Sequence, residues 1–483
     1  MTELRRILYP LTAALILAYF LFFSWKSLHM YFDTDDMYAL YFGWSKPMSQ
    51  VVRENLYLWK GEFRPLGAFF YRWIFAAAGF NPLPFRIAEL GFCAVNLAVC
   101  FWFTRLISAS ERTAALATLL FAFQVRMIEV WFRTTIIFDV LCFTFAWLAA
   151  GVYISARRNG GDLSGWRIAA ILVAFICALN AKEFAVCLPV FLVAWELLFN
   201  GSKLRDFLKS RALVLIVVLG ALSLIYAFGK LHGAAAMATN PAYTPEYSFA
   251  RFKSTWNEYL KDMFVLARLP PGWVSMTIVG GLLAVALAMR SRILLFAWVI
   301  IFFGLLPVSF APPRGGYEIY FSYIGWVLYA GALLVAFEDL ITRRAPQYRT
   351  ALACVVFVLV GWRFGKVNLH ELRVEQRPWL YDQPAAVRAM ADQLRAMHPA
   401  LPPHTRVLLL EDGFTTGEWT PMFIIRLIYK DPNMIVDRVK LKTDRPAGWD
   451  QHTSRGKIEY DYVFTYEDGR YQQVQPAPPR RAV

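Results

Sequence analysis

Three carboxylates fall within four residues at Asp33-Thr34-Asp35-Asp36, directly after the first long apolar run of a 483-residue chain. Crowded carboxylates repel, so such a set binds a cation, holds a proton or takes up a basic partner. A carboxylate in that setting also suits a general base for a hydroxyl. A helix cap would need one Asp, not three. Acids and bases recur in later polar turns: Lys60, Glu62 and Arg64; Arg126, Glu129 and Arg133; Lys182 and Glu183; Arg314 and Glu318. Fixed cations of this kind suit a departing phosphate, whose growing charge they stabilise in a water-poor site. Base and cations together point to group transfer from a lipid phosphate.

The elements that must position these residues are membrane helices. The chain is 58% hydrophobic and only 18% charged, with a mean hydropathy of +0.41, which excludes an ordinary soluble enzyme. Its net charge of +15 would suit nucleic acid, but the basic residues cluster between apolar runs, as cytoplasmic loops require. Apolar runs near 7–25, 87–104, 113–123, 138–155, 168–179, 184–199, 212–229, 272–289, 293–308, 318–337 and 350–362 predict about eleven transmembrane helices. With that count, Arg5/Arg6, Arg105/Arg112, Arg157/Arg158/Arg167, Lys203/Arg205/Lys209/Arg211, Arg290/Arg292 and Arg343/Arg344/Arg349 share one side. The positive-inside rule then predicts a cytoplasmic N-terminus, with the acidic cluster in a first outer loop over 26–86. The first run ends in bulky Phe22-Phe23-Ser24-Trp25 without a small-residue cleavage site, so it reads as an uncleaved span.

Within the outer loop, Pro47 followed by Met48, Val51, Val52, Leu56 and Trp59 predicts a helix in the interface, and Gly67 to Phe80, interrupted by Arg72, a second. All six cysteines lie in apolar runs, with no CxxC pair, so neither a disulfide framework nor a zinc site is indicated. From about residue 367 the chain turns polar. Strands at Thr405–Leu410 and Met434–Val436, a helix at Thr420–Tyr429 and a hairpin across Glu467-Asp468-Gly469 predict a small extracytoplasmic α/β domain over 367–475, followed by a disordered tail over 476–483.

With these residues in view, positions 1 to about 365 resemble the GT-C fold integral-membrane glycosyltransferases that use polyprenyl-phosphate sugars, in particular the protein O-mannosyltransferase-like and tetratricopeptide-associated branch. Asp35-Asp36 before Tyr38 looks like that family's acidic pair, and Arg64-Pro65-Leu66 like its RPL element. Asn81-Pro82 and Asn96 keep its spacing, Glu129-Val130-Trp131 is similar to its second-turn glutamate, and Ala181-Lys182-Glu183 to its AKE element. Arg314 ahead of Tyr320 resembles its arginine-bearing turn. The chain departs from the pattern at Gln124-Val125 and Met127, where histidines and proline are common, at Arg86, and in lacking tetratricopeptide repeats, so the resemblance does not fix sugar or acceptor.

The resemblance implies a glycosyltransferase of the plasma (inner) membrane, with a multi-pass GT-C transmembrane domain over 1–366. Asp35 would be the base for an acceptor hydroxyl on protein, lipid or glycan, in an inverting transfer. Asp36 would orient the acceptor or, with Asp35, a divalent cation, Mg or Mn. Arg64, Lys182 and Arg314 would bind the donor phosphate, with Asp33, Glu129 and Glu183 in support. The rival is a lipid-linked sugar transporter or flippase; transporters place polar groups near the midplane, often within inverted repeats, whereas these charges gather at a rim. A third reading is a scaffold whose exported domain binds a partner.

Overall fold

In a computed structural model the chain is described over residues 2–158, 161–200, 207–233, 244–375, 377–440 and 460–474. The predicted tail over 476–483 lies outside them. The chain opens with α1 (Thr2–Ser24), then three helices of the first loop, α2 (Thr34–Ser45), α3 (Met48–Leu56) and α4 (Gly67–Ala78). A bundle follows: α5 (Pro82–Ser108), α6 (Glu111–Ala122), the one-turn α7 (Glu129–Phe132), α8 (Ile137–Arg157), α9 (Gly165–Ala181), α10 (Leu188–Phe199) and α11 (Arg211–His232). It continues with α12 (Phe249–Met263), α13 (Gly272–Ala288), α14 (Arg292–Leu305), α15 (Tyr320–Ile341) and α16 (Arg349–Val374). Starts follow the sequence: Pro82 opens α5 behind an Asn81 cap that accepts from the Leu83 N–H, and Ser110 caps α6.

This is a helical membrane protein with a small C-terminal sheet. Six segments among the described residues are long and apolar enough to cross a membrane: Leu8–His29, Pro82–Ser108, Thr134–Arg157, Arg211–His232, Gly316–Arg344 and Pro346–Val374. The expected count of eleven is therefore not reached by length. Gly165–Ala181, Gly272–Ala288 and Arg292–Val308 are apolar but shorter. The predicted spans at 113–123 and 184–199 hold only the 12-residue helices α6 and α10. At 1.5 Å per residue each covers about 18 Å of a core about 30 Å thick. Hydropathy alone does not see that Phe123 leaves α6 extended, or that a 3-10 turn over Glu183–Cys187 precedes α10.

The two helices predicted in the first loop are α3 and α4. Arg72, which interrupts the apolar run of α4, donates to the Trp44 carbonyl at 3.1 Å and to that of Lys46, so it caps the end of α2. Helix α16 runs unbroken through Val374 and is tied back by Asn368, which bonds the Tyr19 hydroxyl at 2.8 Å and the Val125 N–H at 3.0 Å.

After α17 (Pro378–Met397) come β1 (Arg406–Leu409), α18 (Thr420–Ile428), β2 (Ile435–Arg438), β3 (Tyr462–Glu467) and β4 (Arg470–Gln473), in the order β2-β1-β3-β4. The first three are parallel and β4 closes the predicted hairpin, with Asp468 and Gly469 both at positive φ as a type I′ turn demands. Helix α18 packs on α2: the Phe423 ring lies 4.9 Å from that of Tyr41, and the Tyr41 hydroxyl reaches the Pro432 carbonyl at 3.3 Å.

Candidate functional site

Everything at the site depends on how α2 begins. Asp33 is its N-cap and accepts from the Asp36 N–H at 2.8 Å, while the Asp36 carboxylate accepts from the Asp33 N–H at 3.0 Å. This reciprocal capping box satisfies two backbone donors that would otherwise be orphaned at the helix start. Asp36 is fully buried, with the Tyr71 hydroxyl at 3.3 Å and the Arg86–Glu89 pair beneath it. Burial first, then the Asp33 carboxylate, pushes its carboxyl up to about 8.

Asp35, between them, turns the other way. Its side chain is 69% exposed and meets the Arg133 guanidinium at 2.8 Å. Desolvation by surrounding protein and the Asp33 charge hold this carboxyl above the ordinary range, against Arg133 and Arg64. Arg133 is the hub of this half of the site, reaching Asp33 at 2.5 Å and Glu129 at 3.1 Å as well. Burial raises the Glu129 carboxyl to about 7 despite that contact.

The cationic half is centred on a carboxylate. Glu183 lies 3.7 Å from Arg64 and 3.7 Å from Arg314. Burial alone would raise its carboxyl, but Arg64, Lys182 and Arg314 hold it well below the usual range. Arg314 is also bound by Glu318, through its Nε at 2.8 Å. Arg64 adopts φ +44° although it carries a side chain and precedes a proline, a backbone state that costs on the order of 1–3 kcal/mol and is characteristic of ligand clamps. Its guanidinium lies over the rings of Phe63 and Phe138, at 4.7 and 5.4 Å. The halves touch: a Cβ on Gly315 would come within 2.8 Å of the Glu129 carboxylate, so the Arg314 turn fits there only as glycine.

The structure thus brings Asp33, Asp35, Asp36, Arg64, Glu129, Lys182, Glu183 and Arg314 to one end of the bundle, and it corrects three expected roles. Asp33 and Asp36 spend their carboxylates on the capping box, so the cap consumes two acids, not one. Lys182 is only 1% exposed and bonds Asp139 at 2.8 Å, so it braces the turn instead of facing a ligand. The Asp35–Asp36 pair does not fit a divalent cation: successive helix positions diverge by about 100°, one carboxylate faces outward and the other is buried. Among the described residues no group of three or more His, Cys, Asp or Glu could hold a metal.

Sequence reasoning undervalued Arg133 and missed Asp139, Tyr226 and Lys230. The signal for Asp139 was an acid inside an apolar run, which by default marks function or a buried partner. Compared with known proteins, the chain matches no family model and no curated protein by sequence. What the arrangement offers chemically is an exposed carboxylate of raised proton affinity, fixed by a guanidinium, beside a buried cluster of cations.

Proposed function

We propose that this protein is a GT-C type membrane glycosyltransferase that moves a sugar from a polyprenyl-phosphate donor to an acceptor hydroxyl at the outer face of a plasma (inner) membrane. The observation that supports the reading is Asp35: of three clustered acids it alone is presented to solvent, in electrostatic reach of Arg64. A base works best when its proton affinity approaches the working pH, and Asp35 is raised in that direction.

In this mechanism Asp35 takes the proton of the acceptor hydroxyl as its oxygen attacks the anomeric carbon in line. The bond from that carbon to the phosphate oxygen breaks with inversion, and the phosphate leaves carrying the electron pair. Arg64 and Arg314 stabilise the charge on it. Glu183 holds those cations in place, and Lys182, bonded to Asp139, braces the turn that carries Glu183. Asp33, Asp36 and Arg133 fix the start of α2, and hence the direction of Asp35. The shorter apolar helices, of which α10 and α14 adjoin 3-10 turns at Glu183–Cys187 and Leu306–Val308, supply the remaining crossings of the eleven-span GT-C plan. Basic clusters on the opposite side of those crossings put the N-terminus in the cytoplasm and the C-terminal sheet outside.

The test is transfer of labelled sugar by the purified protein from a panel of short-chain polyprenyl-phosphate sugars, with nucleotide sugars as controls. Transfer from a lipid donor, unaffected by chelator, is expected. No transfer from any donor, while labelled lipid-linked sugar crosses protein-loaded liposomes, would establish a transporter instead.

A further inference from the structure

Helix α11 ends against the site, and two of its residues have no role in the arrangement described so far. Tyr226 and Lys230 lie one turn apart on one face of the helix, 4% and 9% exposed. The Lys230 ammonium is 5.5 Å from the centre of the Tyr226 ring and gives one of its three N–H donors to the Glu62 carbonyl at 2.8 Å. The Tyr226 hydroxyl is buried with no hydrogen-bond partner, and the charged groups around it are Glu183 and Arg64. Lys230 in turn faces Glu183, Arg64 and Glu62.

This placement is built in by close backbone packing. Gly61 has φ +65°, and a Cβ there would collide with the Gly229 carbonyl; a Cβ on Gly229 would reach to 2.6 Å from the Leu58 carbonyl. The first loop and α11 therefore meet main chain to main chain, which brings the loop's Arg64 and the helix's Tyr226 and Lys230 to the same place. Without Lys230 the cluster is neutral, since Arg64, Lys182 and Arg314 are matched by Asp139, Glu183 and Glu318. Lys230 faces Glu183 and Glu62 but forms no ion pair among the described residues, and its one hydrogen bond is to a backbone carbonyl. An orphaned buried hydroxyl is costly until something accepts its hydrogen bond, and beside an ammonium with donors to spare and no ion-pair partner the acceptor that fits is an anion with several oxygens.

We propose that Tyr226 and Lys230 form a phosphate-binding site which, with Arg64 and Arg314, holds the phosphate of a lipid. The phenol donates to one phosphate oxygen and the ammonium to another. Because α11 is one of the membrane-length helices, a phosphate carried on a bilayer lipid reaches its end from the membrane. The identity of that lipid as the sugar donor rests on the function proposed above; the phosphate chemistry does not.

The experiment titrates the purified full-length protein with a short-chain polyprenyl monophosphate and, separately, with inorganic phosphate, and records the melting temperature without ligand. Tyr226→Phe removes only the orphaned oxygen, so its ligand-free melting temperature should equal or exceed that of the wild type while lipid-phosphate affinity falls about tenfold. Lys230→Gln should weaken binding at least as much. Equal affinity of wild type and Tyr226→Phe, or no binding of either phosphate to the wild type, overturns the site. Inorganic phosphate binding as tightly as the lipid, with the same loss in Tyr226→Phe, supports the site and makes the free anion its ligand. A binding defect in the variant of a protein that transfers no sugar sinks the glycosyltransferase reading alone. Undiminished transfer with unchanged KM in Tyr226→Phe sinks the phosphate site alone.

Discussion

Helix α8 carries a buried ion pair at each end, and the two are built differently. Asp139 in its first turn bonds Lys182 at 2.8 Å; Arg157 in its last turn bonds Glu196 at 2.7 Å, about 27 Å away along the helix. At the Arg157 end both Glu196 oxygens are satisfied: Tyr153 donates at 2.8 Å, Asn200 at 3.0 Å, and Arg157 through two nitrogens. At the Asp139 end one oxygen of Asp139 and the hydroxyls of Thr134, Thr135 and Tyr226 are buried without partners. Buried polar groups in folded proteins are overwhelmingly paired, so the two ends of the helix differ in how fully their polar groups are satisfied. A satisfied cluster holds the fold.

The largest effect on stability should come from breaking the satisfied end. Glu196→Ala leaves the Arg157 guanidinium buried and unmatched, which typically costs about 3–5 kcal/mol, so thermal unfolding should shift down sharply while surviving folded protein keeps its activity per molecule. A smaller effect, with a signature in pH, is expected from Asp36. Its carboxyl titrates at about 8 in the folded protein against a reference value of 3.8, so between those values the native state keeps a proton that the unfolded chain has lost. Stability contributed by this group therefore falls as pH rises through that window. Asp36→Asn preserves an oxygen for the Asp33 N–H and should flatten the fall, gaining on the wild type between pH 5 and pH 8.5 in melting experiments. An unchanged pH profile in the variant would remove Asp36 as its source.

Much of this arrangement was legible because its physical demands are simple. Lipid requires long apolar runs, so the six membrane-length helices stand out; the Asp468-Gly469 turn and the alternating strands around it are equally plain. The acidic triplet and the Lys182-Glu183 turn were legible as charges with no place in hydrocarbon. Helix α2 was not read as a helix, because Thr34–Ser45 is apolar and aromatic on several sides. It is gripped between α4 and α18, and so lacks the one-sided period of a surface helix. The division of labour among the acids was hidden for the same reason: it depends on which carboxylate folds back onto the helix start and which turns outward. Lys182 looked like a ligand-binding cation because its partner, Asp139, lies 43 residues away. Tyr226 and Lys230 gave no local signal at all, being defined by a backbone approach between Gly61 and Gly229.

The most direct test of the central claim is to measure sugar transfer and thermal unfolding together in Asp35→Asn. Asp35 is exposed, so the account predicts a melting temperature like the wild type's, surface substitutions being worth about 0.5 kcal/mol or less, and transfer reduced by about 10²–10⁴. Full transfer with a lowered melting temperature would contradict it, making Asp35 a structural partner of Arg133 and leaving the exposed carboxylate without a chemical role.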